Sequence, residues 1–253
     1  MTLYKFSKST IPRKTARLFL HLVPGNVQLP IVTGRLRGKR WVVGSGTHRF
    51  WLGVFEEELQ QLFCQLVKPG SVFFDIGAHV GFFTLLASQL VTPSGKVFAF
   101  EPMPRNVRLL ERHLRLNKLQ NVTVVEAAVA EKIGTTLFAA GPSYAKGSMA
   151  HATPDGAISV NTLALDDLVG KGEVPLPDFI KMDIEGAELL ALKGARELLT
   201  KGHPTIFLST HSAQLRAGCC AFLDSLGYYV APLNGKTIEE TDQLLARKLT
   251  RRL

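Results

Sequence analysis

Apolar positions along the chain follow two alternating periods. Between residues 55 and 67, Phe55, Leu59, Leu62, Phe63 and Leu66 recur at helical spacing, and Lys68-Pro69-Gly70 closes the pattern with turn residues, so an amphipathic helix is predicted there. Short apolar runs follow at 72–75, 97–101, 122–128, 179–183, 205–210 and 228–231. Helical stripes lie between them: 81–91; 104–116, with Val107, Leu110 and Leu114 inward; 185–199, with Leu189, Leu192, Ala195 and Leu199; and 212–226, with Leu215, Cys219, Phe222 and Leu226. Apolar runs that alternate with amphipathic helices mean parallel strands joined by crossover helices, so the predicted class is α/β with a doubly wound, mostly parallel sheet. A last strand at 244–249, returning antiparallel, brings the expected count to seven.

Two stretches depart from this rhythm. Residues 134–140 and 157–163 read as strands around a loop containing Gly, Pro and Ser at 141–156, which predicts a hairpin insertion between the third and fourth strands. The first 50 residues carry Pro12, Pro24 and Pro30 and alternate near Trp41-Val42-Val43, which predicts a short helix followed by a small hairpin. Residues 1–54 are read as an extension and 55–253 as the main domain.

Composition narrows the class. With 253 residues, 46% hydrophobic and 20% charged, the chain has enough apolar residues for a core and lacks the signature of disorder. No apolar run approaches the roughly 18 residues of a membrane span, and the run at 18–23 is broken by His21 and stopped by Pro24, so a cytoplasmic protein is expected. Cys64, Cys219 and Cys220 show no zinc spacing and read as buried thiols. Charge is uneven: residues 1–49 hold ten basic side chains and no acid, while the remaining 204 are close to neutral. A basic head is most often a solvated surface, though it also suits weak peripheral contact with an anionic membrane.

Ligands of an open parallel sheet bind beyond the carboxyl ends of its strands, so the strand ends are where chemistry is sought. The first is Phe73-Phe74-Asp75-Ile76-Gly77-Ala78-His79-Val80-Gly81, whose glycines permit a tight turn and close approach of backbone amides to a ligand. The next strand ends at Glu101, 20 residues past Gly81, the spacing at which a carboxylate meets the hydroxyls of a ribose. His79 occupies the middle glycine position of a dinucleotide fingerprint, which disfavours NAD.

This D-x-G-x-x-x-G pattern with a strand-end Glu resembles the first two motifs of class I S-adenosylmethionine-dependent methyltransferases. The segment Ile180-Lys181-Met182-Asp183-Ile184-Glu185-Gly186-Ala187-Glu188 is similar to the I-K-x-D-x-E-G-x-E signature of the FkbM-type family, and the likeness extends over residues 55–230. The resemblance implies a Rossmann-like sheet and transfer of a methyl group from S-adenosylmethionine to a hydroxyl of a sugar or small natural product. Few aromatic residues interleave with the charges of the head and no known nucleic-acid motif appears, so no nucleic acid is expected as partner. By the same resemblance Asp75, Gly77 and Gly81 would hold the methionine part and Glu101 the ribose, with His79 also among the cofactor-binding residues. Glu126, Ala127 and Ala128 would flank the adenine, and Asp183 would lie beside the reacting methyl.

Asp183 is the first candidate base and His211 the second. Asp183 could instead cap the following helix, and His211 could be a hydrogen-bonded histidine at a strand end. Lys181 lies on the opposite face from Met182, with its partner undetermined, and Asp166 and Asp167 read as helix-start residues. Ser209 stands where the family often has an acid two places before the histidine, so no metal is assigned. The rival reading is a noncatalytic nucleoside-binding module docked by its basic head on a membrane or nucleic acid.

Overall fold

The computed structural model describes residues 24–140, 147–148, 157–233, 235 and 237–248. The expected N-terminal helix, with Lys5, Lys8, Arg13, Lys14 and Arg17, lies outside the described residues. Strands β1 (Gln28–Pro30) and β2 (Arg40–Val42) form the predicted hairpin, followed by the short helix α1 (His48–Leu52) and by α2 (Glu57–Leu66). Then come β3 (Val72–Ile76), α3 (Phe82–Val91), β4 (Lys96–Phe100), α4 (Pro104–Leu116), β5 (Val122–Val125) and β6 (Ala128–Val129). The insertion contains β7 (Gly134–Ala140), β8 (Gly147–Ser148) and β9 (Ala157–Leu163). The rest is α5 (Leu165–Gly170), β10 (Phe179–Met182), α6 (Glu188–Lys193), α7 (Arg196–Gly202), β11 (Thr205–Ser209), α8 (Ala213–Ser225), β12 (Tyr229–Pro232) and β13 (Gln243–Arg247).

Seven strands form one sheet in the order β12-β13-β11-β10-β3-β4-β5, parallel except for β13, which runs antiparallel to both of its neighbours. The central strands are buried on both faces. Phe73, Val97, Ala99 and Phe207 point into a cluster with Phe63, Leu86 and Leu110, whereas Phe74, Phe98, Phe100, Ile180, Met182 and Leu208 point into one with Leu192, Leu199 and Leu223. Two-sided burial is why these strands read as continuous apolar runs.

Two predicted elements divide in the structure. The run 122–128 pairs with β4 only as far as Val125. The chain then turns at Ala127, whose N–H donates to Val125 O at 2.9 Å, and continues as β6 in a second sheet of order β6-β9-β7-β8. A change of pairing partner leaves the apolar period intact, so the pattern alone could not show it. The predicted helix 185–199 begins only at Glu188 and breaks around Gly194. A Cβ at Gly194 would stand 2.2 Å from Ala130 O, so this backbone packs directly on the turn beyond β6. Asp166 caps the second half, accepting from the N–H groups of Glu197 (2.9 Å) and Leu198 (2.8 Å).

The N-terminal hairpin is joined to the main sheet through His113 of α4. Its Nδ1 bonds Val80 O at 2.8 Å and its Nε2 accepts the N–H of Val42 at 3.1 Å, which fixes the tautomer with the proton on Nδ1. Trp41 stacks on the imidazole, with centroids 3.8 Å apart and planes 12° apart. Burial, the dominant cause, lowers the pKa of this ring from its ordinary 6.5 to about 4. The unfolded chain therefore binds more protons than the folded one between pH 6.5 and 4, and stability from this group is lost as pH falls through that window. Replacing His113 by Ala leaves Val42 N–H and Val80 O without partners. We expect a loss of about 2 to 5 kcal/mol in urea unfolding at pH 7, together with a flatter pH dependence of stability between 6.5 and 4 than in the wild type.

Candidate active site

The parallel register of β3 and β10 sets Lys181 beside Asp75. Both are buried. Lys181 Nζ donates to Gly77 O at 3.0 Å and lies 3.5 Å from Asp75 Oδ1 and 4.0 Å from Asp183 Oδ2. The other oxygen of Asp75 accepts from Thr84 Oγ1 in the first turn of α3 at 2.6 Å. Burial by itself would lower the pKa of Lys181, but the carboxylates of Asp75, Asp183 and Glu56 outweigh it and hold the ammonium above its ordinary value.

From β3 the chain enters the glycine turn. Gly77 has φ +79°, and a Cβ there would stand 2.0 Å from Asp183 O, so only glycine lets the ends of β3 and β10 approach this closely. The N–H groups of Gly77 and Ala78 both donate to Phe100 O at 3.0 Å, while that of His79 donates to Glu101 Oε2 at 2.8 Å. Glu101 Oε1 accepts from Met103 N at 3.0 Å and from Asn106 Nδ2 at 3.1 Å. The carboxylate at the end of β4 is thus held by the turn after β3 and by the entry to α4. Burial raises its pKa against the lowering effect of these donors. The pKa of His79 is lowered to about 4, chiefly by burial and then by the Lys181 charge, so its ring is neutral near pH 7.

A second charged group closes the other side. His211, just past β11, contacts Glu188 Oε1 through Nδ1 at 2.9 Å, and its Nε2 lies 3.3 Å from both Asp183 Oδ1 and Glu185 Oε2. Hydrogen bonds to Asp183 and then Glu188 raise its pKa from 6.5 to about 10, so at neutral pH it is a cation and a donor. Glu188, fully buried, also accepts the N–H groups of Ile184 and Gly186. It takes the place of the cap for which Asp183 was an alternative: α6 starts at Glu188 after Ala187, away from Asp183, whose own N–H donates to Ile76 O at 3.1 Å. Among the described residues Asp183, Glu188 and His211 present oxygen and nitrogen atoms within 4.8 Å of one another, a set that could hold a cation; as it stands, ion pairs and hydrogen bonds fill it.

These groups surround a cavity of about 390 Å³ at the carboxyl ends of the strands. Gly77, His79, Glu101, Ala127, Ala128, Asp183 and His211, all anticipated from sequence, line it. Asp75 lies beneath it under Lys181, and Gly81 faces Leu110, where a Cβ would come within 2.3 Å of Cδ1. Glu126 is exposed and is not in the cavity wall. Sequence reading missed Glu56, Thr47, Phe50 and Phe55, which complete the wall from the N-terminal side. Glu56 precedes α2 with φ 44°, and burial pushes its carboxyl up to about 7 against the pull of Lys181. In the sequence it is one of three acids at a helix start, an ordinary arrangement that carries no signal of a site.

The strand order and the polar cavity above it define a class I methyltransferase fold. A solved structure of methyltransferase FkbM from Methylobacillus flagellatus superposes with a TM-score of 0.53 at 21% identity, covering 74% of this chain and half of that one. An O-methyltransferase from Thermotoga maritima gives 0.51 at 15% identity, covering 90% and 80%. Residues 75–249 match the methyltransferase FkbM domain, and the chain belongs to that family of methyltransferases. It is 31% identical to the hexuronic acid methyltransferase AglP of Haloferax volcanii over 75% of this chain and 79% of the relative. It is also 31% identical to the 2-O-methyltransferase NoeI of Sinorhizobium fredii, over 56% and 64% of the two chains.

Lys181 neutralises a carboxylate with no exposure, so removing the ammonium leaves an uncompensated buried charge. Lys181→Met should cost about 3 to 5 kcal/mol in denaturant unfolding at pH 7. His211 behaves oppositely to His113 in pH: its folded pKa lies above the unfolded value, so its stabilisation is complete below pH 6.5 and is lost as pH rises toward 10. Thermal midpoints between pH 7 and 10 should fall more steeply for the wild type than for His211→Gln.

Proposed function

We propose that the protein methylates a hydroxyl oxygen of a sugar or sugar-like small molecule, with S-adenosylmethionine as donor. The observation that carries this reading is the cavity with Glu101 in one wall and Asp183 with His211 in another. The residues fit the donor. Glu101 is fixed by three donors and retains one lone-pair site, on Oε2, for a ribose hydroxyl. Ala127, Ala128 and Val129 offer an apolar wall to the adenine, and the turn at Gly77 and His79 borders the methionine end. S-adenosylmethionine supplies an electrophilic methyl on a sulfonium. The relatives named for hexuronic acid and for 2-O-methylation support a sugar hydroxyl as acceptor.

The acceptor oxygen becomes acidic as it attacks, so a fixed proton acceptor and good alignment are what the chain adds. Asp183 fills the first role. His211 already carries its proton and is tethered by buried Glu188, so it holds Asp183 in place as a donor and takes no proton itself. Glu56, with its carboxyl near 7, faces the same cavity and makes the local charge sensitive to pH around neutrality.

Three measurements check this. S-adenosylmethionine and S-adenosylhomocysteine, but not NAD, should raise the thermal midpoint by roughly 5 to 10 °C at about 100 times the dissociation constant. Glu101→Ala, at some cost in stability because three buried donors lose their acceptor, should weaken calorimetric binding of S-adenosylmethionine by about 1.5 to 3 kcal/mol; unchanged affinity in the folded variant removes Glu101 from the site. With an acceptor found by screening sugars and uronic acids against labelled donor, Asp183→Asn should lower kcat by about 10² to 10⁴ while donor affinity stays within a few fold. Wild-type turnover by Asp183→Asn alongside loss of turnover in His211→Ala would transfer the base role to His211.

A further inference from the structure

A second hollow, of about 400 Å³, lies between the turns at Asn26 and Gly44-Ser45 and the outer face of α4, which lines it with Arg105, Arg108 and Arg112. At 100° per residue these positions fall within about 60° of one another, and at 1.5 Å per residue they span about 10 Å of helix. Like charges three and four residues apart repel. No carboxylate among the described residues pairs with Arg108 or Arg112, and Glu111 of the same helix faces Arg115 instead, at 3.5 Å. Arg108 and Arg112 thus border the concavity without a carboxylate partner among the described residues.

The hollow adjoins the methyl-transfer cavity. Consecutive residues in the first turn of α4 divide between the two, Arg105 lining the hollow and Asn106 the cavity. On the opposite wall Ser45 faces the hollow and Thr47 the cavity. Gly46, between them in sequence, packs on two rings of the cavity wall: a Cβ there would stand 2.6 Å from the Phe50 ring and 3.6 Å from that of His79.

We propose that this groove holds a phosphate or diphosphate group carried by the acceptor, so that the substrate is an anionic phosphorylated sugar whose hydroxyl enters the neighbouring cavity. The inference rests on the sugar O-methyltransferase reading above and names its substrate class. Guanidinium forks match tetrahedral phosphate oxygens in bidentate geometry, and a row of three over about 10 Å exceeds what one carboxylate can engage. Binding energy from such a remote anchor positions the reacting hydroxyl.

The test is calorimetric titration of inorganic pyrophosphate into the full chain without donor, for the wild type and for R108Q/R112Q. S-adenosylhomocysteine is titrated into both as a control, and thermal midpoints verify folding. The wild type should bind pyrophosphate saturably, more weakly as salt rises, and at least tenfold more tightly than the variant, with S-adenosylhomocysteine affinity equal within twofold. Equal pyrophosphate affinity in the two proteins, or no saturable binding by the wild type at low salt, overturns the proposal. Vesicles rich in anionic phospholipid provide the second arm. Equal sedimentation of both proteins agrees with a sugar-borne phosphate, whereas release of the variant alone assigns the groove to a lipid headgroup and overturns it. Because pyrophosphate is read without donor, failure of S-adenosylhomocysteine to bind counts against the methyl-transfer reading alone.

Discussion

The pairing of Lys181 with Asp75 across the two central strands is the interaction on which the site depends. It is set by register: with Phe179 opposite Phe73, the third rung of the parallel ladder places ammonium beside carboxylate. A slip of one residue would turn Lys181 to the other face and bury both charges without partners. Such a pair is weak as a stabiliser because desolvation cancels most of the Coulomb gain, but it is costly to break. Here it also ties three strand-end features together, since the ammonium donates to Gly77 O and lies within 4.0 Å of Asp183.

From that point the remaining polar groups are arranged by backbone donors. Glu101 accepts from the turn after β3 and from the entry to α4, and Glu188 from the turn after β10, so each carboxylate reports the position of a loop as well as carrying charge. The histidines divide according to their neighbours. His79 and His113 are desolvated and remain neutral near pH 7, burial and the Lys181 charge outweighing the pull of Asp183 on His79, whereas His211 stands between Asp183 and Glu188 and is held protonated. One residue type thus serves as a fixed neutral link in the scaffold and as a fixed cation in the site.

The N-terminal hairpin has a larger part than its charge suggested. Trp41 and the His113 link hold β2 against α4, and Val80 O, the other partner of His113, belongs to the glycine turn itself. The hairpin and α4 are also tied where Asn117 bonds Arg40 N–H and O, and the imidazole extends that link to the glycine turn. This is how Thr47 and Phe50 reach the cavity wall and how the arginines of α4 come to border a concavity.

Local pattern determined a good deal by itself. Two-sided burial makes the central strands uninterrupted apolar runs, and glycines with positive φ and strand-end acids are local in sequence, so the sheet, the turn at Gly77 and the roles of Glu101 and Asp183 as cavity residues were legible. The tertiary structure decided what depends on partners distant along the chain. β6 left the sheet because its partner is β9, about 30 residues on, and the helix expected at 185–199 broke because Gly194 meets the turn beyond β6. Lys181 gained a meaning only through its register with Asp75. Glu56 entered the site only because packing of α2 brings the acid that precedes it over the cavity, where burial rather than any motif raises its pKa. Periodicity records which face of an element is apolar; the partner that covers that face is set by the packing of the whole chain.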